Sequence, residues 1–425
     1  MLGRVAACVI ILAFLSGMDP GPPASGKASA NGARGWRLAP TARRPRRYPR
    51  LVNYWHMGSY LDEGQIDHLE ERLAQWDVVI LDPAPGPPRT APSLSKIRQA
   101  NPDVKLLAWI PLQEGIPHLD SHPGRDDWYA KTADGRLLPY PWGGYEMNPY
   151  VDGFAWPKHV VRHIAQRQYL EPGMYDGVLL DCMGEGTNEA DLNEDGVHDE
   201  KDTVCYQESM TYLVRELRRR YPGAVITGNG GAPWSDDCPY FPYANGNMHE
   251  NALGDDFGDP GWEALWRGYR TCVEHVPPPL APYHLIVGDI QTSKLGVSAG
   301  NLDECARVER LGQEDLRKMR LGLGTALLDD GYFGFDRGSC LHGQLWWFDE
   351  YDADLGDACG PYRVDVYGAG IFSREFESGL VLVNPTSAPV AVGLTQQLRD
   401  VSSGQTGESV TVPAGDARIL VKGSR

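Results

Sequence analysis

The 425-residue chain is 42% hydrophobic and 23% charged and carries a formal charge of −17, a composition that supplies one large core and a smaller second domain and excludes wholesale disorder. Charge is uneven along it: residues 1–50 hold nine Lys/Arg and one acid, Asp19, while the remaining 375 hold 31 basic and 56 acidic residues, a net −25. Such an acidic body is unsuited to nucleic acid, whose affinity comes largely from Lys and Arg neutralising phosphates, and it disfavours anionic substrates.

Residues 1–30 read as an export signal: Arg4 gives a positive start, Val5 to Leu15 is almost wholly apolar, and Ala28-Ser29-Ala30 supplies a small-residue cleavage pattern. That apolar stretch is too short to span a bilayer comfortably, and no later segment reaches transmembrane length. A secreted protein without a stable membrane span is expected. Residues 31–50, with seven arginines and no acid, read as an Arg/Pro-rich solvated linker; the other use of such a segment is contact with an anionic cell surface. Cys8 lies in the signal, leaving seven cysteines, which outside the cytoplasm tend to pair. Cys340 with Cys359 is the expected disulfide, with connectivity left open by sequence. The His-x₃-His spacings His118/His122 and His159/His163 have no nearby cysteine pair, so no zinc-finger pattern is present.

From residue 51 to 365, apolar runs rich in Val, Ile, Leu and aromatics alternate with amphipathic stretches. Strands are predicted at 51–55, 78–82, 104–110, 177–181, 224–228, 246–250, 284–289 and 332–336, and helices at 66–75, 157–169, 206–221, 262–273 and 309–328. Near-continuous apolar strands flanked by helices indicate parallel βα units, and eight of them fit an α/β fold of the (β/α)₈ TIM-barrel type. Residues 366–425 carry short alternating runs at 379–384, 389–394, 408–412 and 417–421 with no helical segment between them, which predicts a small C-terminal antiparallel β domain of sandwich type.

Barrel enzymes place working groups at the carboxyl ends of their strands. Five predicted strands end in an acid: Asp82, Asp181, Glu250, Asp289 and Asp336. An ionised carboxylate there must face a cleft, a cation or a hydrogen-bond network, because burying it unpaired is expensive. Two carboxylates flanking a scissile bond are what glycoside hydrolysis needs, one protonating the leaving oxygen and the other attacking the anomeric carbon or activating water. Asp181 is assigned the nucleophile or base and Glu250 the general acid, with Asp82, Asp336 and Glu185 in reserve. His249 neighbours Glu250 along a strand and therefore faces the other way, as a core histidine. Tyr54, Trp55, Trp109, Trp142 and Trp234, with Asp82, Asp289 and Asp336, are candidates for sugar contact; Trp142 and Trp234, beside glycines, read as exposed platforms, and core packing is the competing role for each aromatic.

Between Asp191 and Asp202 the chain reads Asp191-Leu-Asn193-Glu-Asp195-Gly196-Val197-His-Asp199-Glu-Lys-Asp202. Oxygen ligands at positions 1, 3, 5, 9 and 12, a backbone carbonyl at 7 and glycine at 6 reproduce a calcium-loop spacing. Position 12 is Asp202 rather than Glu, a shorter reach. Structural Ca²⁺ held by Asp191, Asn193, Asp195, Val197, Asp199 and Asp202 is expected to brace an insertion at 185–203 beside Asp181, with no catalytic cofactor.

Tyr175-Asp-Gly-Val-Leu-Leu-Asp181, Asp329-Asp330-Gly331-Tyr332-Phe333, Trp347-Phe348-Asp349-Glu350-Tyr351-Asp352 and the run from Phe372 to Thr386 resemble bacterial TIM-barrel glycoside hydrolases of the hypothetical glycosyl hydrolase kind, over nearly all of residues 50–425. The resemblance implies a glycosidase barrel with a C-terminal β domain and supports Asp181 most directly. The expected activity is hydrolysis of a neutral or amino-bearing polysaccharide or oligosaccharide; the other class is a cell-surface barrel that binds polysaccharide without cleaving it.

Overall fold

The computed structural model describes residues 36–42, 47–55, 66–84, 91–115, 122–140, 144–187, 189–230, 234–250, 253, 261–278, 280, 283, 285–289, 316–336, 338, 342 and 344–423. The signal at 1–30, Trp142 and Cys340 lie outside the described residues.

Eight strands build the first sheet: β1 (Val52–Tyr54), β2 (Val78–Leu81), β3 (Lys105–Pro111), β4 (Gly177–Asp181), β5 (Val225–Asn229), β6 (Gly246–Glu250), β7 (Leu285–Asp289) and β8 (Tyr332–Asp336). Each pairs in parallel with the next in chain order. The sheet curls until its edges meet, where Leu51 and Phe333 form a parallel bridge and Phe333 N donates to Arg50 O at 3.1 Å. Helices α1 (Leu69–Leu73), α2 (Leu94–Ala100), α3 (Val151–Gln166), α4 (Glu200–Arg220), α5 (Trp262–His275) and α6 (Arg317–Leu327) lie in the connections.

The continuous apolar character of the strands follows from burial on both faces. Val52, Val78, Ile80, Leu107, Leu179, Val225, Met248 and Leu285 form an inner cluster with Tyr54 and Trp109. Their strand neighbours Leu51, Val79, Leu81, Leu106, Ala108, Val178, Leu180 and Ile226 join the larger core that contains the helices. Side chains alternate across a strand, so this two-residue period decides which groups reach the inside.

Helix ends match their sequence. Asp199 and Asp202 form a reciprocal capping box at the start of α4, and Arg218, Arg219 and Arg220 occupy its last turn, where cations complement the helix dipole. In α3, Asp152, Gly153 and Phe154 have left-handed angles and the regular turns follow them, which puts Pro157 early enough that its missing N–H costs little.

The C-terminal strands β9 (Arg363–Val364), β10 (Phe372–Phe376), β11 (Gly379–Asn384), β12 (Val390–Asp400), β13 (Thr406–Val412) and β14 (Asp416–Val421) form one antiparallel sheet in the order β9-β10-β11-β14-β12-β13. β12 runs on for 11 residues, pairs with both β13 and β14, and shifts register between Gly393 and Leu398, and the sheet has a core of its own that includes Ile371, Leu380, Leu382, Val392, Leu398, Val412 and Leu420. The sheet docks on α6, where a Cβ at Gly324 would stand 2.6 Å from that of Ala417, and Arg320 makes a two-pronged bond to Asp416 at 2.8 and 2.9 Å.

The arginine-rich segment is not a free tether where it is described. Arg37–Leu38 pair antiparallel with Trp346–Trp347, Trp36 stacks on Trp346 at 5.4 Å, and Ala39 and Tyr48 are buried. Arg37 bonds Asp349 at 2.8 Å and also Asp352, while Arg47 reaches Asp357. Its charge finds partners in the acidic body, and its aromatics find the core. The expected pairing of cysteines is not met among the described residues: Cys182, Cys205, Cys238, Cys272 and Cys359 form no disulfide. No helix among the described residues is long and apolar enough to cross a membrane.

Candidate active site

Inward parity carries Tyr54, Trp109, Asp181, Asn229, Glu250 and Asp336 to the carboxyl ends of β1, β3, β4, β5, β6 and β8, above the apolar inner cluster. Asp181 is 7% exposed and receives four donors. Trp109 Nε1 at 2.7 Å and Tyr54 OH at 3.2 Å bond Oδ2, and Asn229 Nδ2 at 2.7 Å and its neighbour's N–H, Cys182 N at 3.0 Å, bond Oδ1. Cys182 takes φ 57°, a left-handed angle that non-glycine residues rarely adopt. Burial, then the charge of Glu250, push the Asp181 pKa up to about 6, while the bonds from Trp109, Asn229 and the Cys182 N–H pull it down. The four donors favour the ionised carboxylate, which accepts on both oxygens.

Asn229 Nδ2 also donates to Glu250 Oε2 at 2.5 Å. Two oxygens bonded to one nitrogen can be no farther apart than the two bonds together, so Asp181 Oδ1 and Glu250 Oε2 lie within roughly 5 Å of each other, within reach of a glycosidase carboxylate pair. On its other oxygen, Glu250 Oε1 faces His342 Nε2 at 2.6 Å. His342 Nδ1 faces Asp336 Oδ2 at 2.9 Å and Oδ1 at 3.1 Å, and Gly338 N donates to Asp336 Oδ1 at 2.7 Å. Burial opposes charge on His342, but Asp336 and Glu250 outweigh it and hold its pKa well above that of an ordinary histidine.

Of the residues singled out by sequence, Asp181, Glu250, Asp336, Tyr54 and Trp109 come together in this cluster. Others do not. Trp234 is 2% exposed and bonds Met183 O through Nε1 at 3.0 Å; its ring lies against Gly228, where a Cβ would meet it at 2.5 Å, so it is core and not a platform. Trp55 is likewise core. Asp82 accepts from Ala84 N at 2.9 Å, a bond within its own turn. Asp289 pairs in register with Asp336 at the end of β7, and its side chain lies outside the described residues, as does all of Trp142. Glu185 accepts from Ser235 N and Oγ at 2.6 and 2.7 Å. His249 faces outward against Tyr269, as its strand parity predicts.

Sequence reasoning missed Asn229 and His342. Asn229 closes a strand just as the acids do, and extending the strand-end rule to amides would have found it. His342 sits beyond β8 with no periodic or motif signal.

In the 191–202 loop, Asp191 Oδ1 and Oδ2 accept from Asp195 N at 3.1 Å and Gly196 N at 2.8 Å, and Gly196 has φ 86°. Asp202 is fully buried, its Oδ1 taken by Leu192 N at 2.7 Å and its Oδ2 by Asp199 N at 2.9 Å. Among the described residues no three His, Cys, Asp or Glu side chains converge as a metal-binding set. The chemistry of the donors suits calcium; the carboxylate of Asp202 is committed to the helix cap.

The family model for hypothetical glycosyl hydrolase family 15 matches residues 112–380, more than half of the chain and a span that includes Asp181, Asn229, Glu250, Asp336 and His342. The chain belongs to that family. As a member of hypothetical glycosyl hydrolase family 15 it is a glycoside hydrolase, an enzyme and not a binding-only barrel. No curated protein matches it. Among solved structures it is similar to an Anoxybacillus α-amylase (11% identity, 88% of this chain and 98% of that one, TM-score 0.48). It is also similar to a GH27 β-L-arabinopyranosidase from Geobacillus stearothermophilus (14% identity, 89% and 98%, TM-score 0.49). A third is the glycoside hydrolase domain of PelA from Pseudomonas aeruginosa (14% identity, 62% and 92%, TM-score 0.38). These structures lend no residue role or substrate to this chain.

Proposed function

We propose that the protein is a secreted, retaining glycoside hydrolase in which Asp181 is the nucleophile and Glu250 the acid and base. In the first step an Asp181 oxygen forms a bond to the anomeric carbon, the glycosidic C–O bond breaks, and Glu250 gives its proton to the departing oxygen. In the second, water attacks the glycosyl–Asp181 ester, its proton returns to Glu250, and the carboxylate is released. The observation that supports this reading is the shared donor, Asn229, which bonds one oxygen of each carboxylate and so keeps the pair close together. The groups bonded to Asp181 among the described residues are donors, which favours the ionised form a nucleophile needs. The acidic body favours a neutral or amino-bearing polysaccharide. Meeting sheet edges support a closed (β/α)₈ barrel.

The test is release of reducing ends from a panel of neutral and deacetylated polysaccharides by the wild type, Asp181→Asn and Glu250→Gln. Losses of about 10²- to 10⁴-fold in both variants are expected; a variant that cleaves at the wild-type rate overturns its residue's role.

The loop at 191–202 is proposed to hold a structural calcium ion through Asp191, Asn193, Asp195, Asp199, Asp202 and the Val197 carbonyl. The ligand spacing and the wrapping of the loop around Asp191 support it. Binding would draw Asp202 from its cap. A rise in Tm with Ca²⁺ over EDTA, lost in Asp195→Ala, is the expected result; equal Tm values would remove calcium from the account.

A further inference from the structure

We propose that His342, held by Asp336, stores the proton that Glu250 delivers to the leaving oxygen and takes it back when water attacks. The inference rests on the assignment of Glu250 as the acid. Its basis is a continuous line of short contacts from Asp336 through both ring nitrogens of His342 to Glu250 Oε1, 2.9 Å on one side and 2.6 Å on the other.

A ring nitrogen facing a carboxylate must carry a proton on one side or the other of the contact. Asp336 takes Gly338 N as well as His342 Nδ1, so it is an acceptor and fixes a proton on Nδ1. The remaining proton then lies between His342 Nε2 and Glu250 Oε1, shared by a coupled pair. Glu250 Oε2 is occupied by the Asn229 amide, a donor, which leaves Oε1 as the side on which Glu250 is reprotonated. As the glycosidic bond breaks, this one proton passes from Nε2 to Glu250 and on to the departing oxygen, leaving Glu250 ionised and His342 neutral with Nδ1–H still on Asp336. When water attacks, its proton returns along the same path. No outside acid, base or oxidant is needed.

Among the described residues, the titratable groups facing His342 are Asp336 from β8, Glu250 from β6 and the phenol of Tyr54 from β1, whose ring lies 4.9 Å from the imidazole; Asp181 is linked to it through Asn229 and Glu250 and through Tyr54. His342 is 5% exposed, so bulk water does not readily exchange its proton. His342 and Asp336 are positioning residues here, since neither is argued to touch the sugar.

The experiment is ¹⁵N NMR of the full chain labelled at histidine, with the His342 signal assigned by its loss in His342→Gln and, independently, by its displacement in Asp336→Asn. Both ring nitrogens are expected to be protonated at pH 7 in the wild type, and Asp336→Asn is expected to lower the titration by about one unit or more. In parallel, the rate on a cleaved polysaccharide of the panel above is followed against pH. Asp336→Asn moves the high-pH limb to lower pH, and His342→Gln cuts kcat about 10- to 100-fold at pH 7 with KM held. A wild-type His342 that is neutral at pH 7, or an Asp336→Asn chain with unmoved titration and limb, overturns the relay. Failure of the acid assignment is read separately: Glu250→Gln then keeps full activity whatever the NMR shows.

Discussion

Asp181 and Glu250 share one hydrogen-bond donor: Asn229 Nδ2 reaches Asp181 Oδ1 at 2.7 Å and Glu250 Oε2 at 2.5 Å. An amide that bridges two carboxylates sets their spacing and offsets their mutual repulsion. Replacing it by Asn229→Ala is expected to lower kcat about 10²-fold, the scale of losing one preorganised donor. Asn229→Asp, which puts a third carboxylate between the two, is expected to be worse. Steady-state kinetics on a cleaved polysaccharide check both, and KM should change less than kcat.

The nucleophile must be ionised, and burial together with Glu250 pushes the Asp181 pKa up to about 6. Activity is therefore expected to fall as pH drops through about 6. The Trp109 indole N–H stabilises the ionised form, so Trp109→Phe raises that pKa and moves the acidic limb to higher pH. A pH profile of kcat/KM for the two proteins checks the sign.

His249 is buried on the outer face of β6 with neither ring nitrogen hydrogen-bonded among the described residues, and burial pushes its pKa down to about 4. Between that value and the ordinary histidine range the unfolded chain binds a proton that the folded chain refuses. Stability is thus lost as pH falls from about 6.5 towards 4, by up to about 3 kcal/mol. His249→Phe, which keeps a ring beside Tyr269, removes this term. Denaturant unfolding at pH 7 and pH 5 should show a smaller pH dependence in the variant than in the wild type.

The alternation of buried strands and amphipathic helices was legible because parallel strands buried on both faces are apolar at every position, and β4, β6 and β8 fall where the sequence puts them. Asp181 and Glu250 were legible because a charged group ending an apolar strand is conspicuous. Asn229 was not, since an uncharged amide at the same place raises no question of burial cost. His342 was not, since its partner Glu250 comes from a strand distant in sequence and meets it only through the curl of the sheet, although Asp336 lies shortly before it in the chain. Trp234 misled because the glycine beside which it packs, Gly228, belongs to β5 rather than to its own loop.

The residues from Trp36 to Ala42 read as linker by composition, yet Trp36, Arg37 and Leu38 lie against Trp346 and Trp347. The ion pairs of this segment are exposed, so Arg37→Ala alone is expected to cost under about 1 kcal/mol. A chain beginning at Ala42 also loses the Trp36 stack and buried Ala39, and its Tm should fall by several degrees. Calorimetry of chains beginning at Asn31 and Ala42 makes the comparison.

The assignment of Asp181 as nucleophile makes a stereochemical claim that one measurement can test. Early in hydrolysis of a cleaved polysaccharide, before mutarotation, ¹H NMR reports the anomer of the newly formed reducing end. Asp181 as nucleophile, with Glu250 as acid and base, predicts the same anomeric configuration as the bond that was cut. Release of the opposite anomer would mean that water attacks directly, and would contradict Asp181 as a nucleophile.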